Sequence, residues 1–186
     1  MRYIICTDGS AIGNGNGFDS AASYVIINEE LNVMKSESFS LPGKTNNYAE
    51  MFSIYKAIQF LLNINIPARI KEVLIISDSK LSVSSLTEWF EGWYKKAKDE
   101  VLINSSKKPV INQELIKSTY IGLLMLNNIV NVQVAHINSH QGESNLKSMY
   151  EKISKKLDID YKEFIAMYKG NDACDKLAKR ALDIRG

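Results

Sequence analysis

Val73-Leu74-Ile75-Ile76-Ser77-Asp78 is an almost uninterrupted apolar run closed by a carboxylate. A strand with one wet face alternates; a run this continuous predicts a central strand covered on both faces. On its N-terminal side, Met51, Ile54, Ile58, Leu61 and Leu62 recur at helical spacing across residues 46–63, and Pro67 closes that helix. Earlier still, residues 3–7, 21–27 and 33–41 read as three strands of an antiparallel meander. The first ends in Asp8-Gly9-Ser10 and is followed by a Gly/Asn-rich loop at 13–17; in the third, Phe39 and Leu41 alternate with Ser38 and Ser40. On the C-terminal side, residues 79–98 look helical and end in a lysine cluster, 104–109 form a polar loop, 113–126 are helical and 130–137 read as a strand. The order β-β-β-α-β-α-α-β-(insert)-α predicts an α/β fold, a mixed sheet with helices on its faces.

The insert, at 141–170, is lysine-rich (Lys147, Lys152, Lys155, Lys156). Leu146, Met149, Tyr150, Ile153 and Leu157 follow helical spacing, and Phe164, Ile165 and Tyr168 predict a second short helix. Asn171 is expected to open the last helix, with Cys174, Leu177, Ala178, Ala181 and Leu182 on its apolar side.

The 186 residues suit a single domain, 1–186, able to bury a full core. A net charge of +2 does not by itself announce a polyanionic partner, so any such claim rests on local clustering. Two cysteines, Cys6 and Cys174, make no disulfide framework and no zinc pattern; reduced structural thiols are expected. No apolar run approaches a membrane span, and the apolar start is broken by Asp8, so cytoplasmic residence is the expectation.

Four carboxylates fall in awkward places. Asp8 and Asp78 close strands, where functional groups of open α/β sheets gather. Glu50 continues the apolar stripe of Ile54, Ala57 and Leu61, and an inward carboxylate needs compensation. Asp175 sits beside Cys174 in what reads as the first turn of the last helix. Each has a plain alternative: a turn residue for Asp8, a helix cap for Asp78, a favourable helix start for Asp175. Together they ask for a common cation, and Mg²⁺, which prefers hard oxygen ligands, suits them. The spacing points to a metal site and does not select a substrate.

The motifs, in order, resemble the type I ribonuclease H family. Thr7-Asp8-Gly9-Ser10 with Gly13-Asn14-Gly15, Thr45-Asn46-Asn47-Tyr48-Ala49-Glu50, Ser77-Asp78-Ser79, Ile137-Asn138-Ser139-His140, and Asn171-Asp172-Ala173-Cys174-Asp175-Lys176-Leu177-Ala178 match its successive segments. The resemblance implies a five-stranded mixed sheet, three antiparallel strands then two parallel, flanked by helices. It implies an endonuclease cutting the RNA strand of RNA/DNA hybrids to 3′-hydroxyl and 5′-phosphate ends. A monomer with no membrane association and no obligatory protein partner is the expectation. The resemblance implies that Asp8, Glu50, Asp78 and Asp175 bind two Mg²⁺ or Mn²⁺ ions, with Asp8 bridging. His140 would assist proton transfer or product release, and His136 is left as structural. Asp172 competes with Asp175; the ligand of the family pattern precedes the Leu-Ala pair by one residue, which selects Asp175 and leaves Asp172 to cap the helix with Asn171.

Asn14, Thr45 and Asn46 would meet the nucleic-acid backbone, Thr45 also serving as a helix cap. The stretch 89–109 looks like the basic protrusion of many members. There Trp93, Lys95 and Lys96 are read as nucleic-acid contacts and Trp89 as core. The insert departs from the family; it could cover the site, add backbone contacts, bind a partner or simply stabilise the surface. A same-fold DNA nuclease (resolvase or integrase-like) and a non-catalytic hybrid-binding module are the competing readings.

Overall fold

The structure, a computed structural model, describes residues 1–12, 19–138 and 146–183. Five strands form one sheet in the order β3-β2-β1-β4-β5: β1 Arg2–Ile12, β2 Asp19–Ile27, β3 Val33–Pro42, β4 Glu72–Ser77 and β5 Asn131–His136. β1 pairs antiparallel with β2, β2 antiparallel with β3, β1 parallel with β4, and β4 parallel with β5. Helices are α1 Asn46–Leu62, α2 Lys80–Ser84, α3 Phe90–Lys95, α4 Gln113–Asn127, α5 Leu146–Leu157 and α6 Tyr161–Asp183. None is long and apolar enough to cross a membrane.

The central strands are buried on both sides because their side chains alternate between two cores. Tyr3 and Ile5 of β1, with Val73 and Ile75 of β4, join Met51, Ile54 and Ile58 of α1 and Ile116 of α4. Ile4 and Cys6, with Leu74 and Ile76, face Met149 of α5 and Phe164, Met167 and Cys174 of α6. The continuous apolar run at 73–77 is thus the middle of three layers.

Three expectations change. The last helix does not open at Asn171: α6 runs unbroken from Tyr161, so the expected short helix around Phe164 and the final helix are one rod. Gly170 is no breaker there, because it lets α6 press onto the sheet; a Cβ at that position would meet Cys6 Sγ at 2.5 Å and Ile27 Cδ1 at 2.9 Å. Asp172 and Asp175 therefore lie in the helix interior, neither capping it nor in its first turn. Asp172 pairs instead with Lys176 at 2.6 Å, one turn on.

The expected helix over 79–98 is α2 and α3 joined through a π-helical turn, Ser85–Trp89. The wider turn shifts the helical phase. Trp93 consequently packs half-buried on the first core, while Trp89, read as core, is 38% exposed and leans on the Trp93 ring at 5.7 Å between centroids. Finally, Asp8 does not end its strand: β1 continues to Ile12 beside β2 and loses only its β4 partner after Thr7.

The inserted helix α5 rests Met149 and Leu157 on the second core, with its lysines exposed. Arg2 ties the far end of the insert to β1, donating to the carbonyls of Leu157 and Asp158 and pairing with Glu163. Beyond α3, buried Leu102 and Val110 anchor a loop, and Lys95 at the end of α3 with Lys96, Lys98 and Lys107 surrounds an exposed basic pocket.

Candidate active site

Thr7 and Ser77 are paired across β1 and β4, so Asp8 and Asp78 follow side by side where these two strands part. Asp8 is 6% exposed, and its Oδ1 accepts from the Gly9 amide at 2.7 Å. Gly9 brings in the third carboxylate. A Cβ on Gly9 would meet Glu50 N at 2.5 Å, so the bare backbone of β1 lies directly against α1 at Ala49 and Glu50.

Glu50 is then held by two neighbours. Asn46 Nδ2 donates to Oε1 at 2.7 Å, and the Ser79 hydroxyl donates to Oε2. Ser79 is also the N-cap of α2, accepting from Ser82 N at 3.2 Å. His136 Nε2 lies 3.1 Å from the Asp78 carbonyl oxygen.

Asp175 arrives on α6, which two thiols and a hydroxyl fasten to the sheet. Cys174 Sγ donates to the Cys6 carbonyl at 3.1 Å, Cys6 Sγ to the Met167 carbonyl at 3.5 Å, and Ser23 Oγ to the Cys174 carbonyl at 2.7 Å. Burial pushes both thiols up, so they stay neutral and packed. Asp175 itself takes the Lys179 ammonium at 2.7 Å.

The electrostatics report how these groups stand to one another. Burial first, then the charge of Asp78, and after the opposing Gly9 amide those of Asp175 and Glu50, push the Asp8 carboxyl up to about 8. Burial, with help from Asp78, also raises Glu50 against the two hydrogen bonds it accepts. Asp175 acts on the Asp8 carboxyl, whereas Asp172 is held by Lys176.

The side-chain oxygens are gathered around Asp8 but not closed into a coordination shell; among the described residues no group of three His, Cys, Asp or Glu is set to hold a metal. Glu50 is turned to Asn46 and Ser79, and Asp175 to Lys179. The chemistry of the donor set, all carboxylate oxygen around a destabilised Asp8, nevertheless fits a hard divalent cation.

Of the remaining expected contacts, Thr45 caps α1, accepting from Tyr48 N at 3.3 Å, and Asn46 is engaged with Glu50. Thr45 and Trp93 line one groove of about 320 Å³ with Leu81, Ser85, Trp89 and Asn112. Lys95 and Lys96 edge the basic pocket next to it. Asn14 and His140 lie outside the described residues. Sequence reasoning missed Gly9 and Ser79 as builders of the site. The signal for Ser79 was present: a serine after a strand-ending carboxylate and before a helix is an N-cap pattern.

A family model described as RNase H matches residues 1–183. The chain belongs to the RNase H family. It is accordingly an endonuclease, a hydrolase of phosphodiester bonds. The ribonuclease H of Geotalea uraniireducens is 28% identical over 186 residues, covering 99% of this chain and 96% of the relative. The RNase H topology has close structural counterparts as well. The solved PFV RNase H domain covers 96% of this chain and 93% of its own, at 23% identity and a TM-score of 0.67. A foamy viral protease-reverse transcriptase in complex with an RNA/DNA hybrid covers 96% of this chain and 20% of its own, at 23% identity and a TM-score of 0.68. At such identities these two likenesses speak for the fold alone.

Proposed function

We propose that the protein hydrolyses the RNA strand of RNA/DNA hybrids, leaving 3′-hydroxyl and 5′-phosphate ends, at the carboxylates Asp8, Glu50, Asp78 and Asp175. The observation that carries this reading in an RNase H family chain is geometric: Asp8 and Asp78 leave β1 and β4 side by side, Gly9 brings Glu50 of α1 against them, and the buried Asp8 carboxyl is driven up to about 8. Such a cluster is costly until positive charge enters it. Asp8, Glu50, Asp78 and Asp175 would hold two divalent cations, Mg²⁺ or Mn²⁺, which would supply Lewis acidity to phosphodiester cleavage.

The chain's own residues do the rest. Asn46 and Ser79 orient Glu50, the Gly9 amide orients Asp8, and Lys179 steadies Asp175 beside the scissile phosphate. Water adds to phosphorus as the bond to the 3′ oxygen breaks, and that oxygen takes up a proton. His140 assists the transfer or the departure of product. Thr45, with Asn14 and Asn46, seats the DNA backbone, and Trp93, Lys95 and Lys96 hold it further along. The protein works as a cytoplasmic monomer.

The test offers RNA/DNA hybrid, duplex DNA, duplex RNA, DNA junctions and single strands, with Mg²⁺ and with chelator. Cleavage of the hybrid alone, and only with the metal, is expected; cutting of DNA junctions would overturn the reading. In the same assay Asp175→Asn loses at least about a hundredfold in rate, a loss of roughly 3 kcal/mol. Asp172→Asn, whose carboxylate faces Lys176, stays near the parent. The reverse pattern would move the fourth ligand.

Binding carries a second expectation. Hybrid affinity falls with rising salt, and Lys95→Gln/Lys96→Gln flattens the log–log slope by about 2, close to one unit for each phosphate that the variant no longer neutralises. An unchanged slope would remove the protrusion from the interface.

A further inference from the structure

The outer face of α1, away from the carboxylates, carries a ladder of half-buried rings. Tyr48 stacks on Phe52 at 6.0 Å and 19°, Phe52 meets Tyr55 at 6.1 Å, and Phe39 of β3 stands edge-on to Phe52 at 5.7 Å. Ammonium groups sit over these rings: Lys44 Nζ is 4.8 Å from the Tyr48 centroid, and Lys56 Nζ is 5.0 Å from that of Phe39. Among the described residues neither lysine is in an ion pair.

Tyr48, Phe52 and Tyr55 form one wall of an open cleft of about 490 Å³ whose other wall is the start of α4. Val110 and Asn112 line this cleft and also the Trp89–Trp93 groove, so the two run into one another.

Partly exposed rings with cations against them are the chemistry of single-strand binding: an aromatic surface accepts any base, and ammonium groups meet the phosphates. The seven helical steps from Tyr48 to Tyr55 cover about 10 Å, room for about three stacked bases at roughly 3.4 Å each.

We infer that this lysine-flanked aromatic cleft on α1 is a second nucleic-acid site, a stacking platform for an unpaired strand that continues from the hybrid held in the neighbouring groove. The proposal rests on the hybrid reading for what fills that groove, and adds to it a preference for hybrids bordered by single strand. Electrostatics alone would favour any polyanion, whereas the rings require bases.

The experiment measures binding in chelator, so that nothing is cut, by fluorescence anisotropy. The probes are a blunt hybrid, the same hybrid with an unpaired DNA or RNA tail, one with an abasic DNA tail, and the tail strand alone. The base-bearing tails are expected to tighten binding about tenfold, the lower end of what base–aromatic stacking contributes, and the abasic tail to give little of this. The DNA and RNA arms identify which strand is preferred. Tyr48→Ala and Tyr55→Ala remove the gain and leave blunt-hybrid affinity unchanged. Lys44→Gln/Lys56→Gln, which leaves the rings in place, lowers the salt dependence of the gain.

A tail that adds nothing, a gain that survives both ring variants, or an abasic tail as good as a natural one would each overturn the proposal. If a ring variant fails to fold, the abasic probe and the lysine pair still decide. Failure of the blunt hybrid to bind, with the tail strand bound in a Tyr55-dependent way, would sink the hybrid reading and leave the platform standing.

Discussion

Asp8→Asn abolishes hydrolysis and at the same time makes the metal-free protein harder to melt. The loss should reach roughly a thousandfold, since forfeiting about 4 kcal/mol of transition-state stabilisation is a factor of about 10³. The gain in stability follows from the raised carboxyl. Its ordinary value is 3.8 and its folded value about 8, so between these the native state keeps a proton that the unfolded chain has shed. The contribution of Asp8 to the stability of the metal-free parent therefore falls as pH rises through that window and levels off above it.

Asparagine carries no charge to bury. At pH 8 in chelator the variant should gain about 2 kcal/mol, which for a chain of this size raises Tm by about 4–8 °C. At pH 4 the two should melt together. Added Mg²⁺ should stabilise the parent more than the variant, because a bound cation favours the state that holds it. Thermal melts from pH 4 to 9, with and without metal, check all of this; a parent-to-variant difference that does not widen with pH in chelator would contradict the raised Asp8 carboxyl.

Gly9→Ala is the second large effect, and it strikes fold and site together. The added methyl would lie 2.5 Å from Glu50 N and 2.9 Å from the Ala49 carbonyl carbon, both backbone atoms of α1 that cannot rotate away. Either α1 lifts from β1 or the strand bows, and overpacking of this kind costs about 1–3 kcal/mol. Lifting α1 also carries Glu50 from Asp8, so hydrolysis should drop by about a hundredfold even in the molecules that fold. The measurement pairs a denaturant melt with steady-state rates at a temperature where the variant is still native. A fully active Gly9→Ala protein would show that β1 and α1 need not touch.

The sheet was legible because its central strands carry unmistakable apolar runs, and the acids stood out because they interrupt apolar patterns where burial is expected. What escaped the sequence was phase and continuity. Gly170-Asn171 has the look of a helix boundary, yet glycine there serves a close approach to Cys6 that only the tertiary contact reveals. Trp89 came out at the surface because a π-helical turn at Ser85–Trp89 shifts the helical phase, and no local pattern announces that turn. Asp8 looked like the end of β1 because Asp-Gly-Ser reads as a turn; hairpin pairing with β2 carries the strand onward. The position of Ser79 depends on how α1 lies against the end of β4, and that of His136 on how β4 and β5 lie together, neither of which propensity encodes.

The unbroken α6 gives the inserted segment a mechanical meaning. Along a single rod, angular position is conserved: one residue added between Gly170 and Asp175 would rotate the fourth carboxylate by about 100° around the axis. Changes of length in the chain before α5 leave the phase of the rod untouched, but from Gly170 to Asp175 the spacing is fixed like the teeth of a gear. Insertions should thus accumulate upstream of this stretch and be shut out within it.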